Sequence, residues 1–247
     1  MKIMKKKYFL GVLLVSVILI AGCGKEKVLE TSKEETLEVV EAEKHAAENE
    51  PENESEDKKN AEIQFPVILE DGKIEIESLF PFEGFNPDAG NETGNDIASI
   101  SVKNSSGRYL EEAKISIWLN EETEVKFVVT DLPAETSAMA FSIENKTLDD
   151  EISCSNVSCE ARFADEIKGI PEQISVQEDG TQVSVTNLSG QALSRITVYC
   201  RCPFDEEYFG GIAYQYELQG LAAGQTKVIH AEEFLLGMVQ VVRVEFE

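Results

Sequence analysis

The sequence predicts an all-β protein: two β-sandwiches in tandem, placed after an export signal and a disordered acidic linker. Three observations predict it. Short runs of alternating apolar and polar residues, the period of half-buried strands, fill the chain from about residue 65 onward. Turn dipeptides punctuate these runs: Asp71-Gly72, Ser106-Gly107, Asp179-Gly180, Ser189-Gly190 and Ala223-Gly224. The strand-and-turn pattern also occurs twice, 83 residues apart. The segments drawn from this are 1–22, signal; 23–64, tether; 65–164, first sandwich; and 165–247, second sandwich. One sandwich assembled from two half-repeats is the alternative.

Composition bounds the function. The 247 residues are 42% hydrophobic and 28% charged, so a packed core fits. Lys and Arg number 22 against 47 Asp and Glu, a net charge of −25. Such a surface repels phosphate backbones and excludes nucleic acid as a partner. Two histidines leave little material for His-based catalysis or a His-rich metal site.

The export signal comes first. Lys2, Lys5, Lys6 and Lys7 precede an uncharged apolar run at residues 8–20, and Ala21-Gly22-Cys23 follow. A basic start, a short apolar stretch and small residues at its end form a secretory signal, too short for a comfortable membrane span of about 20 residues. The lysines mark the cytoplasmic side, so the rest is exported. Ile20-Ala21-Gly22-Cys23 resembles the bacterial lipobox, in which a signal peptidase cuts just before the cysteine. The resemblance implies that Cys23 becomes the first residue of the mature protein. Its sulfur would carry diacylglycerol and its amine a further acyl chain of the palmitate class. Two or three chains, at about 0.8 kcal/mol per buried CH₂, hold a protein stably to a membrane. The expected location is the extracytoplasmic face of the cell membrane. An ordinary cleaved signal with a chance cysteine, or an N-terminal membrane helix, are the competing readings.

The tether follows. Residues 24–64 hold 14 acids and 6 lysines and few large apolar side chains, too little buried surface to offset ordering entropy. A self-repelling spacer of about 41 residues spans roughly 35 Å as a coil and more when stretched. Ser32 with Glu35 offers a capping box for a transient helix, but no heptad is sustained.

The repeat organises the remainder. Ser101-Val102-Lys103-Asn104-Ser105-Ser106-Gly107 aligns without a gap on Ser184-Val185-Thr186-Asn187-Leu188-Ser189-Gly190. In the same register Ile115, Ile117 and Leu119 meet Val198, Cys200 and Cys202, alternate positions of a strand. Leu132-Pro133-Ala134-Glu135 matches Leu221-Ala222-Ala223-Gly224 at an offset of 89, and residues 159–163 resemble 242–246 back at 83. The second copy therefore carries about six extra residues between 203 and 211. Strands are expected at 74–76, 97–102, 115–119 and 125–129, then 173–176, 182–185, 196–200, 213–218, 226–229 and 239–246.

The motif V-x-N-x-S-G, an alternating strand, then L-P-A-G-x-S/T resembles immunoglobulin-like modules of bacterial envelope proteins, of the FxLYD and CARDB types. The resemblance spans residues 75–247, though the F-x-L-Y-D element is absent. It implies two immunoglobulin-like sandwiches used for adhesion, spacing or ligand presentation, without assigning a role by fold alone.

Candidate chemistry is sparse. Cys154 and Cys159 flank a short segment and are a candidate disulfide in an exported protein. With Cys200 and Cys202 they make up a C-x₄-C … C-x-C set, the count of a four-sulfur zinc site. The repeat instead places Cys200 and Cys202 on a core-facing strand side, as small hydrophobes. Residues 86–96 are rich in Asn, Asp and Gly but lack the spacing of a calcium loop, and read as solvated turns. Tyr208 and Phe209, in the insertion of the second copy, are either the tip of a projecting ligand loop or rings folded back onto the sheet. Phe80, Phe82 and Phe85 read as the start of the first domain's core. His230 has neither a nucleophile nor an H-E-x-x-H motif beside it, and the Asn-x-Ser/Thr triplets read as turn chemistry. No catalytic group, metal or cofactor is predicted. The expected function is a non-catalytic surface module binding an envelope protein or glycan, or else a structural spacer within a membrane-bound assembly.

Overall fold

Alternation builds the strands. Along Leu110–Leu119 the side chains of Ala113, Ile115, Ile117 and Leu119 are buried, while Lys114 between the first two is exposed. The computed structural model describes residues 62–247 except 121, 150–152, 166, 167 and 235, so the Cys23 motif and most of the tether lie outside the described residues. The strands are β1 Val67–Leu69, β2 Ile74–Asn86, β3 Glu92–Asn104, β4 Leu110–Leu119, β5 Thr123–Leu132, β6 Ser137–Phe141 and β7 Cys154–Phe163. They continue as β8 Ile174–Asp179, β9 Gln182–Asn187, β10 Leu193–Phe204, β11 Glu207–Leu221, β12 Thr226–His230 and β13 Gln240–Phe246. Every expected strand falls within one of these, to a residue at its ends. The protein is all-β, with no α-helix among the described residues.

The repeat is visible in the pairing. In the first copy β2-β3-β6 are neighbours, and β5-β4-β7 form a separate three-stranded sheet. In the second copy β8-β9-β12 form the three-stranded sheet, and β11-β10-β13 are neighbours. Each copy thus contributes the same two strand triplets. The two copies also share a sheet: β6 pairs with β11 in parallel, giving a seven-stranded sheet ordered β1-β2-β3-β6-β11-β10-β13.

Two hydrophobic cores follow. The first holds Ile76, Ile100, Val102, Ile115, Ile117, Phe127 and Val129; the second holds Val183, Val185, Ile196, Val198, Val241 and Val244. Strand β6 serves both, with Ala138 and Ala140 facing the first core and Met139 and Phe141 the second. The shared sheet is therefore covered on both faces at its centre.

Strand β2 changes core along its length. Ile74 and Ile76 lie in the first core, while Phe80, Phe82 and Phe85 pack against the second. The expectation that these three rings begin the first core is corrected here. Its physical reason is a pair of register shifts, at Ile76/Ser78 and Phe82/Gly84, each of which flips the facing side. Pro81 is tolerated because β1 pairs only with Ile74–Ile76, so Pro81 has no ladder partner on that side to lose.

One plug recurs in both copies. Asn104 is fully buried; its Nδ2 donates to the carbonyls of Arg108 and Leu132, and its Oδ1 accepts from Ser106 N and Oγ. Asn187, 83 residues on, donates to Gln191 O and Leu221 O and accepts from Ser189 N and Oγ. Both asparagines thus stitch the end of one strand to two turns, using the side chain's full donor and acceptor set. Buried as they are, neither is a surface turn residue.

Candidate functional site

The insertion of the second copy is where the copies meet. It extends the β10–β11 hairpin through the pairs Cys202↔Phe209, Pro203↔Tyr208 and Phe204↔Glu207. The next rung outward, Tyr208↔Ala138 and Phe209↔Met139, is the parallel pairing with β6. Tyr208 and Phe209 are 8% and 6% exposed, so the projecting-loop reading of these residues is corrected: the rings fold inward. Phe209 lies in a cluster of rings, with centroid distances of 5.7 Å to Phe82, 5.0 Å to Phe85, 5.0 Å to Phe141 and 5.8 Å to Phe204. Tilted and edge-on ring pairs of this kind add to what burial alone gives.

Past Phe209, β11 leaves β6 and its backbone needs other partners. Two buried charges supply them. Asp88 Oδ2 accepts from Phe141 N at 2.8 Å and from Gly211 N at 2.8 Å, and its Oδ1 accepts from Ile212 N at 3.0 Å. Arg201, fully buried, donates through Nη1 to Gly210 O at 2.9 Å and through Nη2 to Gly211 O at 2.7 Å. The same guanidinium donates to Asp131 O at 3.1 Å and to Thr130 O. A carboxylate takes the orphan N–H groups and a guanidinium the orphan carbonyls, as buried backbone requires. Glycine is obligatory at 211, where a Cβ would collide with Val128 O and lie 2.7 Å from Ala140 Cβ.

A second charged pair sits beside the first. Arg243 Nη2 and Asp131 Oδ1 are 2.9 Å apart with both side chains 10% exposed, and Tyr109 Oη donates to the same carboxylate at 3.2 Å. The Arg243 guanidinium stacks 3.7 Å from the Tyr199 ring centroid. Burial raises the Asp88 carboxyl to about 6, against three backbone N–H bonds and the Arg201 charge that pull it down. Burial likewise raises Asp131, opposed chiefly by Arg243, and lowers Arg201.

An acidic groove of about 770 Å³ opens beside this seam. The tip of the β10–β11 hairpin contributes Phe204, Asp205, Glu206 and Glu207; the first copy contributes Glu77 and Glu135, with Lys103 as the base among the lining residues. Ser101 Oγ lies 3.0 Å from Glu77 Oε2 and 2.9 Å from Glu207 Oε2. Burial, then the nearby Glu77 and Asp205 charges, push the Glu207 carboxyl up, while its bond to Ser101 pulls it down.

The cysteines are structural. Cys154 and Cys159 lie on the same strand, opposite Leu119 and Ile115. Five residues of strand separate them by roughly 16 Å. A disulfide needs Cα atoms about 4.4–6.8 Å apart. The candidate disulfide is therefore corrected: both are free thiols, as are Cys200 and Cys202, which line the second core. Burial pushes the thiols of Cys159 and Cys200 up to about 12 and that of Cys202 up to about 11, away from reactive thiolate. His230 is an exposed strand end.

Of residues 86–96, read as solvated turns, Asn86 proves to be interior and Asp88 half-buried with its carboxyl turned inward. Asn86 is fully buried and donates to Ser142 O at 2.8 Å. No group of metal ligands assembles there or elsewhere among the described residues. Sequence reasoning missed Asp88, Arg201, Asp131 and Arg243. A signal existed for two of them: the repeat aligns Arg201 with Trp118 and Arg243 with Glu160, outward positions of the first copy that the second copy turns against its neighbour. The sequence matches no protein-family model and no curated protein.

Proposed function

We propose that this protein is a lipid-anchored module on the extracytoplasmic face of a cell membrane, which binds a partner without catalysing a reaction. The lipobox at Ile20-Ala21-Gly22-Cys23 and the acidic residues 24–64 support the anchor and the tether. The finer fold reading, two immunoglobulin-like sandwiches, is supported by the strand triplets and the asparagine plug common to both copies. The observation that carries the binding reading is the division of charge. The inward-turned ionisable groups Asp88, Arg201, Asp131 and Arg243 are bonded to backbone or to one another, whereas Glu77, Glu135, Asp205 and Glu206 of the groove are exposed in a concavity. A concave acidic surface beside an exposed aromatic, Phe204, suits a cationic segment of an envelope protein better than a neutral glycan.

A spacer within a membrane assembly is the second reading, favoured by the seven-stranded sheet that runs through both copies. One experiment separates them. Full-length protein and the Asp205→Lys/Glu206→Lys variant are each purified from native membranes, with intact mass and co-purifying proteins read by mass spectrometry. The binding reading expects a mass beginning at acylated Cys23 and a salt-sensitive partner that falls at least tenfold in the variant. An unmodified mass overturns the anchor, and a partner indifferent to the charge reversal favours the spacer.

A further inference from the structure

We infer that the free edge of β12 is a self-association surface, where a second copy of this chain pairs β12 to β12 in antiparallel and joins their three-stranded sheets. This goes beyond the proposed binding role and does not rest on it, since other strands and turns line the acidic groove. β12 stands at the end of the order β12-β9-β8, paired on one side. Two bonds that bracket it fix its backbone direction: Asn187 N donates to Gln225 O, and Ala231 N donates to Thr181 O, both between β12 and β9. Alternation then turns Lys227 and Ile229 toward β9, and leaves the N–H and C=O of Thr226, Val228 and His230 pointing away from the sheet. The first copy shows what such an edge accepts. Its counterpart of β12 is β6, where Met139 takes the place of Val228 and Phe141 that of His230. There β11 pairs alongside, and Asp88 takes the outward amide of Phe141. Among the described residues no strand does the same for β12.

The charge distribution selects another copy as the occupant. A chain of net charge −25 repels itself over most of its surface, so two copies meet where acids are sparse. The outward face of β12-β9-β8 is such a place. Thr226, Val228, Thr186, Ser184, Ser175 and Gln177 are uncharged, and the acid on this face, Asp179, stands on β8, the strand farthest from the free edge. A common guard of edge strands, an outstretched lysine, is withdrawn here: Lys227 Nζ donates to Gln219 O of its own β11. Antiparallel pairing centred on Val228 sets Val228 against Val228 and Thr226 against His230. Every outward N–H and C=O of β12 then gains a partner, and β12 brings no acid to the contact. Val228, 46% exposed, is covered by its equivalent.

So short a ladder is weak, and a covalent trap reads it best. In the pairing the two Val228 Cα atoms stand about 5.5 Å apart. Gln177 lies in line with Val228 through Ser184, on the same face and also exposed. The two Gln177 positions, however, would be five strand spacings apart, about 24 Å. The purified full-length chain, as wild type, Val228→Cys and Gln177→Cys, is treated with a short thiol-to-thiol bis-maleimide and sized on a denaturing gel. Both substitutions are at exposed positions and leave the cores untouched. The expected result is a product of twice the chain mass in Val228→Cys, at least tenfold above its yield in the other two. Equal yields in Val228→Cys and Gln177→Cys would be collision, and no dimer in Val228→Cys would be an unpaired edge; either overturns the proposal. The treatment is repeated on cells making the protein. There, a Val228→Cys product joined to a different protein in place of the dimer overturns self-pairing equally.

Discussion

Asp88 illustrates how one side chain sets a pH dependence. Burial raises its carboxyl from an ordinary 3.8 to about 6 in the fold. Between those values the folded chain holds a proton that the unfolded chain has released. Stability must then fall as pH rises through this window, and the ionised carboxylate costs up to about 3 kcal/mol above it. Burial moves Asp131 and Glu207 in the same direction, and relief of the −25 net charge adds to them on acidification. The expected outcome is a urea midpoint that rises between pH 7 and pH 5, with a shallower rise in Asp88→Asn. A midpoint that drops over this interval in wild type would show that the Asp88 carboxylate is better solvated by its three amides than its burial implies.

At the scale of elements, the duplicated asparagine plug gives a matched pair of tests. Asn104 and Asn187 make equivalent bonds to equivalent turns and are both fully buried. Asn104→Ala and Asn187→Ala should each cost about 2–3 kcal/mol, since each removes several buried hydrogen bonds at once. Denaturant titration of the two variants checks this, and a large cost at one position with none at the other would mean the copies are not energetically equivalent. The plug also shows what the sequence made legible. Asparagine, serine and glycine at fixed spacing, followed by strict alternation, are local signals, and they located most strands and the duplication itself. Strand β6 was not legible because Ser137–Phe141 is buried on both faces, so its alternation is of small against large rather than apolar against polar. The far half of β2 was hidden by its two bulges, which break the period at the residues that change core. The inserted residues 203–211 were legible as an insertion but not as a seam. Nothing local distinguishes a hairpin that projects from one that pairs with a strand some 70 residues earlier.

For the whole molecule, the insertion makes the difference between two modules in a row and one block. The first copy leaves the outward faces of β4 and β7 to solvent, with Lys114 exposed and Trp118 half-buried. The second turns the equivalent faces of β10 and β13, with Tyr199, Arg201 and Arg243, against its neighbour. A block of this kind would hold the acidic groove, which residues of both copies line, in one fixed shape, and pre-organised surfaces bind without a further ordering cost. The most direct test of that account is native-state hydrogen exchange on the full-length protein at pH 7. Amides of Phe141, Gly211 and Ile212, all held by Asp88, should open only with the global unfolding that also exposes the central strands β4 and β10. Exchange at these three amides orders of magnitude faster than at β4 and β10 would contradict it, and would leave two independent modules with a groove that does not keep its shape.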